Sequence, residues 1–175
     1  MNRRDKILGR VFGPGVNSPD RLGVMVRAMC DDGPLDPDVF WPVFLETWPS
    51  CDATWDWRGP LLTLLRAARK KRPAIHYMSG DSIEMSGDSI ELFDGLPDPT
   101  PIYRGCSASR VRGISWTIER SIALRFKRGH RFITVPTPVL AEAVVRKDAI
   151  FCTIARRNES EVLIDPRRLR RLTVA

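Results

Sequence analysis

Three short stretches in the second half of the chain hold residue types that can do chemistry together. Arg104 lies in Tyr103-Arg104-Gly105, Ser115 opens Ser115-Trp116-Thr117, and Glu159-Ser160-Glu161 precedes the apolar Val162-Leu163-Ile164. An arginine offers a planar fork of donors suited to phosphate or carboxylate. In a strand, residues i and i+2 point to one face, so Glu159 and Glu161 could look into one cleft while Ser160 points away. Taken singly, each stretch has a plain structural reading: Arg104 as a surface ion-pair residue, Ser115 as a helix-flanking cap, the glutamates as a solvated strand face. Their order and spacing are more informative than any one of them.

In that order, and over roughly residues 101–166, the chain resembles the mono-ADP-ribosyltransferases of the Arg–Ser–Glu class, the family shared by many bacterial toxins. In that family an arginine closes the first core strand. A Ser-Thr-Ser-like motif opens a second strand with a helix behind it, and a Glu-x-Glu or Gln-x-Glu pair carries catalysis. Here Ser115-Trp116-Thr117 stands in place of Ser-Thr-Ser. The resemblance implies an ADP-ribosyltransferase-like split β-sheet core, NAD as co-substrate and no metal. Glu161 would be the carboxylate beside the oxocarbenium-like sugar formed when the nicotinamide glycosidic bond breaks. Glu159 would orient and deprotonate the acceptor. Arg104 would hold the pyrophosphate or ribose of NAD, Ser115 would position Glu161, and Thr117 completes the motif. Trp116 and Phe126 are candidate walls for the nicotinamide ring, with packing against the sheet as the alternative. A glutamate at the first position of the pair goes with arginine as acceptor, so protein arginine is favoured over RNA or DNA. A toxin or host-modifying factor in the cytoplasm of a bacterial or phage-infected cell fits this class, with a cognate inhibitor among its partners. Two other readings stand beside transfer: an NAD glycohydrolase using the same site, and a non-catalytic nucleic-acid-binding protein using the C-terminal arginines.

Charge bears on both. The 175 residues carry 28 Lys+Arg against 21 Asp+Glu, a formal +7. Residues 1–98 hold 12 basic and 15 acidic side chains, whereas residues 99–175 hold 16 and 6, so the excess belongs to the second half alone. Only Lys127 and Lys147 there are lysines, and Arg167, Arg168, Arg170 and Arg171 form a dense C-terminal group. Such a surface suits an anionic ligand, and a dianionic co-substrate accounts for part of it. No run of about 18 apolar residues is present, which disfavours a membrane span and leads us to expect a cytoplasmic chain. The four cysteines, Cys30, Cys51, Cys106 and Cys152, lie far apart without a Cys-x-x-Cys, and His76 and His130 are the only histidines. Buried, inert thiols are therefore expected rather than a zinc site.

The elements that must position these residues follow from composition. The first 101 residues hold 11 of 14 prolines and four of five tryptophans, suggesting a helical part, 1–98, ahead of a strand-rich part, 99–175, either as separate units or as one compact domain. Asp36-Pro37 looks like a helix start before the apolar 39–45, with Pro42 as a kink or interruption. Gly59-Pro60 starts a clearer helix. Its leucines at 61, 62, 64 and 65 form one face, and Arg66, Arg69, Lys70, Lys71 and Arg72 crowd its end before Pro73. Trp41, Trp48 and Trp55 recur every seven residues and read as core. Met-Ser-Gly-Asp-Ser-Ile-Glu at 78–84 is repeated at 85–91, and Gly80 and Gly87 suggest a lengthened connector rather than a helix. Beyond it, 101–105, 113–117, 131–135, 149–154 and 161–164 read as strands and 118–128 as a helix. The expectation is an α+β core with mainly antiparallel pairing.

Overall fold

The computed structural model describes residues 1–71, 87–129, 134–155 and 160–175. The chain divides into two compact units, Met1–Tyr77 and Met78–Ala175.

The first unit is helical, with α1 (Arg3–Val11), α2 (Ser18–Asp31), α3 (Pro37–Thr47) and α4 (Arg58–Lys71). Local sequence sets the starts. The Asn2 side chain accepts the Asp5 N–H at 2.8 Å, and the Asp36 carboxylate accepts the Asp38 N–H at 3.0 Å. Each satisfies a donor that the first turn leaves open. Pro42 sits inside α3, which nonetheless runs on to Thr47. The missing proline N–H is offset by packing: Phe40 stacks on Phe44, with centroids 5.6 Å apart, and Phe44 meets Trp48 at 5.5 Å. Trp41 and Trp48 are buried and Trp55 is half-buried, so the seven-residue tryptophan spacing is largely a core feature. Leu61, Leu62, Leu64 and Leu65 are buried on α4.

The second unit is an α+β fold: α5 (Gly87–Gly95), then β1 (Thr100–Ser107), β2 (Ser115–Thr117), α6 (Arg120–Lys127), β3 (Pro138–Val145), β4 (Ile150–Ile154), β5 (Glu161–Ile164) and β6 (Arg170–Val174). The strands form one six-stranded sheet in the order β4-β5-β2-β1-β3-β6, and its strand pairs are antiparallel. One sheet face buries Ile102, Trp116, Ala141, Ala143, Val145, Val162 and Ile164, with Leu92, Phe93 and Leu96 packed on it. With those contacts, α5 belongs to the sheet unit, Met78–Ala175. Gly87 is the first residue of α5, where a helix-interior penalty does not apply. The second copy of the seven-residue repeat thus ends in a helix, while the first copy, Arg72 and Pro73 lie outside the described residues.

Two strands depart from expectation. Residues 131–133 lie outside the described residues, and Thr134 and Val135 are not in a strand. The third strand is instead β3, which pairs residue for residue with β1 from Thr100↔Val145 to Ser107↔Pro138. β6 adds to β3 as a largely exposed edge. No helix among the described residues is long and apolar enough to cross a membrane.

Candidate active site

β1, β2 and β5 are neighbours in the sheet, which brings the three sequence stretches together. Tyr103 pairs with Thr117, and Thr117 pairs with Glu161, whose other partner is Ile154. Directly paired residues share a face, with Cβ atoms roughly 4.5–5.5 Å apart. Tyr103, Thr117 and Glu161 therefore form one row across three strands. Ser115 pairs with Leu163, one step along the same face. The residue directly opposite the glutamate is thus Thr117. The motif can still position Glu161, through its third member.

Glu161 is half-buried and is the first residue of β5. Ser160, just before it, has φ 40°, a left-handed conformation uncommon for a residue with a Cβ. The strand β5 begins only after it. Glu159 itself lies outside the described residues. Ser160 does not simply point away: its hydroxyl donates to Glu119 Oε1 at 2.6 Å, and its carbonyl accepts the Ile118 N–H at 3.4 Å. The buried Thr117 hydroxyl accepts the Glu119 N–H at 3.1 Å as the chain enters α6. Glu119 and Ser160 therefore tie the end of β2 to the start of β5 beside the carboxylate. Neither Glu119 nor Tyr103 carries a motif that would single it out in the sequence; their places follow only from strand register.

Arg104 shares its face of β1 with the core residue Ile102 and with Cys106. Its Nε–H donates to the Arg110 carbonyl at 3.3 Å and its Nη1–H donates to the Ser115 carbonyl. The Cys106 thiol is also hydrogen-bonded to it. Burial lowers the guanidinium pKa from its ordinary value, while Cys106 and the carboxylate of Glu161 push the other way. The charge of Glu161 thus acts on Arg104. Part of the fork is spent on clamping the β1–β2 connection, and Ser115 takes part through its backbone carbonyl.

Gly113 makes that clamp sterically possible. A Cβ there would lie 2.4 Å from Arg104 Cζ and 2.5 Å from Nη2. Gly113→Ala is expected to push the guanidinium off its two carbonyls and to destabilise the sheet unit by about 1–3 kcal/mol. Urea unfolding would register this as a lower midpoint, and an unchanged midpoint would mean that Arg104 moves aside freely.

Trp116 is corrected from a candidate ring wall to a core residue. It is 2% exposed, and its indole N–H donates to the Gly113 carbonyl at 3.0 Å. Phe126, on α6, is half-buried. Among the thiols, Cys106 and Cys152 are buried and Cys51 is half-buried, but Cys30 is exposed, against the expectation of buried cysteines. Burial raises the Cys51 pKa to about 12. It also pushes up Cys152, to which the nearby Glu161 charge adds. A thiol held protonated is a poor nucleophile. His76 and His130, the alternative partners for a cysteine, lie outside the described residues. No group of three or more His, Cys, Asp or Glu able to hold a metal occurs among the described residues. No protein-family model matches the chain, and no curated protein or solved structure does either.

Proposed function

We propose that the second unit is an NAD-dependent mono-ADP-ribosyltransferase with an ADP-ribosyltransferase-like core, centred on Glu161 and Arg104. The observation that carries this reading is that Arg104, Thr117 and Glu161 stand on three adjacent strands and that the charge of Glu161 acts on the Arg104 guanidinium.

In this reading the C1′–N bond of the nicotinamide riboside breaks and nicotinamide leaves with the bonding electrons. The positive charge that develops on the ribose is stabilised by Glu161. At about 4 Å and an effective dielectric near 20, that attraction is roughly 4 kcal/mol before desolvation. The free donors of Arg104 hold an anionic part of NAD, and the Thr117 and Glu119–Ser160 contacts keep the carboxylate edge in place. An acceptor nucleophile then attacks C1′ and gives up its proton. Glu159 is the base in this scheme on sequence grounds alone, and with it protein arginine is the favoured acceptor.

Incubation with NAD labelled on the adenylate, with cell extract as acceptor, tests the proposal. Label carried by protein is the expected result. Free ADP-ribose alone would make the protein a glycohydrolase, and intact NAD would overturn the reading. Glu159→Ala is expected to lose transfer to arginine while keeping hydrolysis; equal loss of both would remove it from an acceptor-orienting role.

A further inference from the structure

We propose that a cavity at the β3–β6 edge, away from the Arg104–Glu161 site, binds a phosphate group carried by a nucleotide or a nucleic-acid strand. The cavity measures about 280 Å³ and is lined by Asp98, Pro99, Val144, Arg146, Arg170 and Arg171. Four strands, β3, β1, β2 and β5, run between β6 and β4, so the cavity lies toward the opposite edge of the sheet from the carboxylate. It stands independently of whether NAD is the co-substrate.

The arrangement of the arginines is specific. In a regular strand, Arg170 and Arg171 would point to opposite faces. Here the ladder advances from Val144↔Arg170 to Glu142↔Thr173, three residues on β6 against two on β3. Arg171 takes φ 50° within that bulge. A bulge re-aims side chains, and a left-handed non-glycine residue persists only where its surroundings fix it. The result is that two consecutive arginines line one cavity together with Arg146.

Charge completes the case. Asp98 lies 3.6 Å from the Arg146 guanidinium and also accepts the Lys147 N–H at 3.2 Å, which holds Arg146 at the cavity. Three guanidinium groups against one carboxylate leave a formal surplus of two positive charges. A phosphate monoester, close to a dianion at neutral pH, matches it. Two other arginines in this unit are already paired, Arg168 with Asp148 and Arg120 with Glu142. Arg170 and Arg171 have no ion pair among the described residues. Forked guanidinium donors are the preferred partners of phosphate oxygens. The volume is just below the usual range of ligand pockets, about 300–1,000 Å³. It suits a phosphate with its attached sugar better than a whole dinucleotide.

Isothermal titration of the full chain with inorganic phosphate, 5′-AMP and a short single-stranded RNA tests this. At least one probe is expected to bind saturably. Arg170→Gln with Arg171→Gln should weaken it about tenfold or more, as loss of charge-assisted bonds predicts. Arg146→Gln, outside the bulge, should weaken it in the same direction and keeps the test valid if the double variant does not fold. Arg125→Gln, an exposed charge on α6, should leave binding within about twofold. Saturation by 5′-AMP identifies a nucleotide as the source of the phosphate. Binding of RNA alone, falling steeply with salt, identifies a strand. Failure of all three probes, or equal loss in Arg125→Gln, overturns the proposal whatever the outcome with NAD.

Discussion

Glu161→Gln is expected to lower NAD cleavage about a thousandfold while leaving the sheet intact. The amide keeps the shape of the side chain and removes only its charge. The interaction at stake, roughly 4 kcal/mol between a carboxylate and a sugar cation at about 4 Å, corresponds to about three powers of ten in rate. Little stability should be lost. Glu161 is half-buried, and its backbone pairing with Thr117 and Ile154 does not involve the side chain. Release of nicotinamide measures the effect, with thermal unfolding as the control for folding. Turnover near that of the parent protein would show that Glu161 is not the stabilising carboxylate. Lost turnover with a lowered unfolding temperature would assign it a structural role instead.

What the sequence made legible was mostly local. The helix that buries four leucines on α4, the helix start at Asp36, and the β5 span at 161–164 all depend on neighbours within a few residues. β3 was obscured because Pro-Val-Leu-Ala-Glu-Ala-Val-Val mixes strand formers with alanine and glutamate, which favour helix. Only pairing with β1 on one side and β6 on the other makes it a strand. β6 was hidden for another reason. Its arginines read as a ligand surface, and an exposed edge strand lacks the buried alternation that marks a strand in sequence.

The candidate site divides in the same way. Arg104 and Glu161 were singled out by type and order, and the charge of Glu161 acts on Arg104. Which hydroxyl faces the glutamate depends on register, and a shift of two residues along β2 replaces Ser115 by Thr117. The burial of Trp116 follows from alternation, since its neighbours Ser115 and Thr117 face the row that contains Glu161. Glu119 and Ser160 join the site because the Ser160 backbone turns out of the extended region, a property of one φ angle that no residue pattern announced.

Gly105→Ala is expected to be more damaging than Gly113→Ala or Gly95→Ala. A Cβ at Gly105 would lie 1.9 Å from the Ala123 carbonyl oxygen and 2.3 Å from the Lys127 nitrogen. Both are backbone atoms of α6, so no side chain can swing aside and the helix itself must move away from β1. Overpacking of this kind costs about 3 kcal/mol or more. Gly95, at the end of α5, supplies the comparison, because a Cβ there meets nothing within 4 Å. Gly95→Ala should be neutral or slightly stabilising. The effect of Gly105→Ala should also reach the site. α6 follows Thr117 directly, and Glu119, at its N-terminal boundary, holds Ser160 beside Glu161. Urea unfolding of the two variants measures the difference, and NAD turnover measured well below the unfolding midpoint separates displacement of the site from loss of the fold. Equal midpoints for Gly105→Ala and Gly95→Ala would mean that α6 does not rest on β1 as closely as this contact requires.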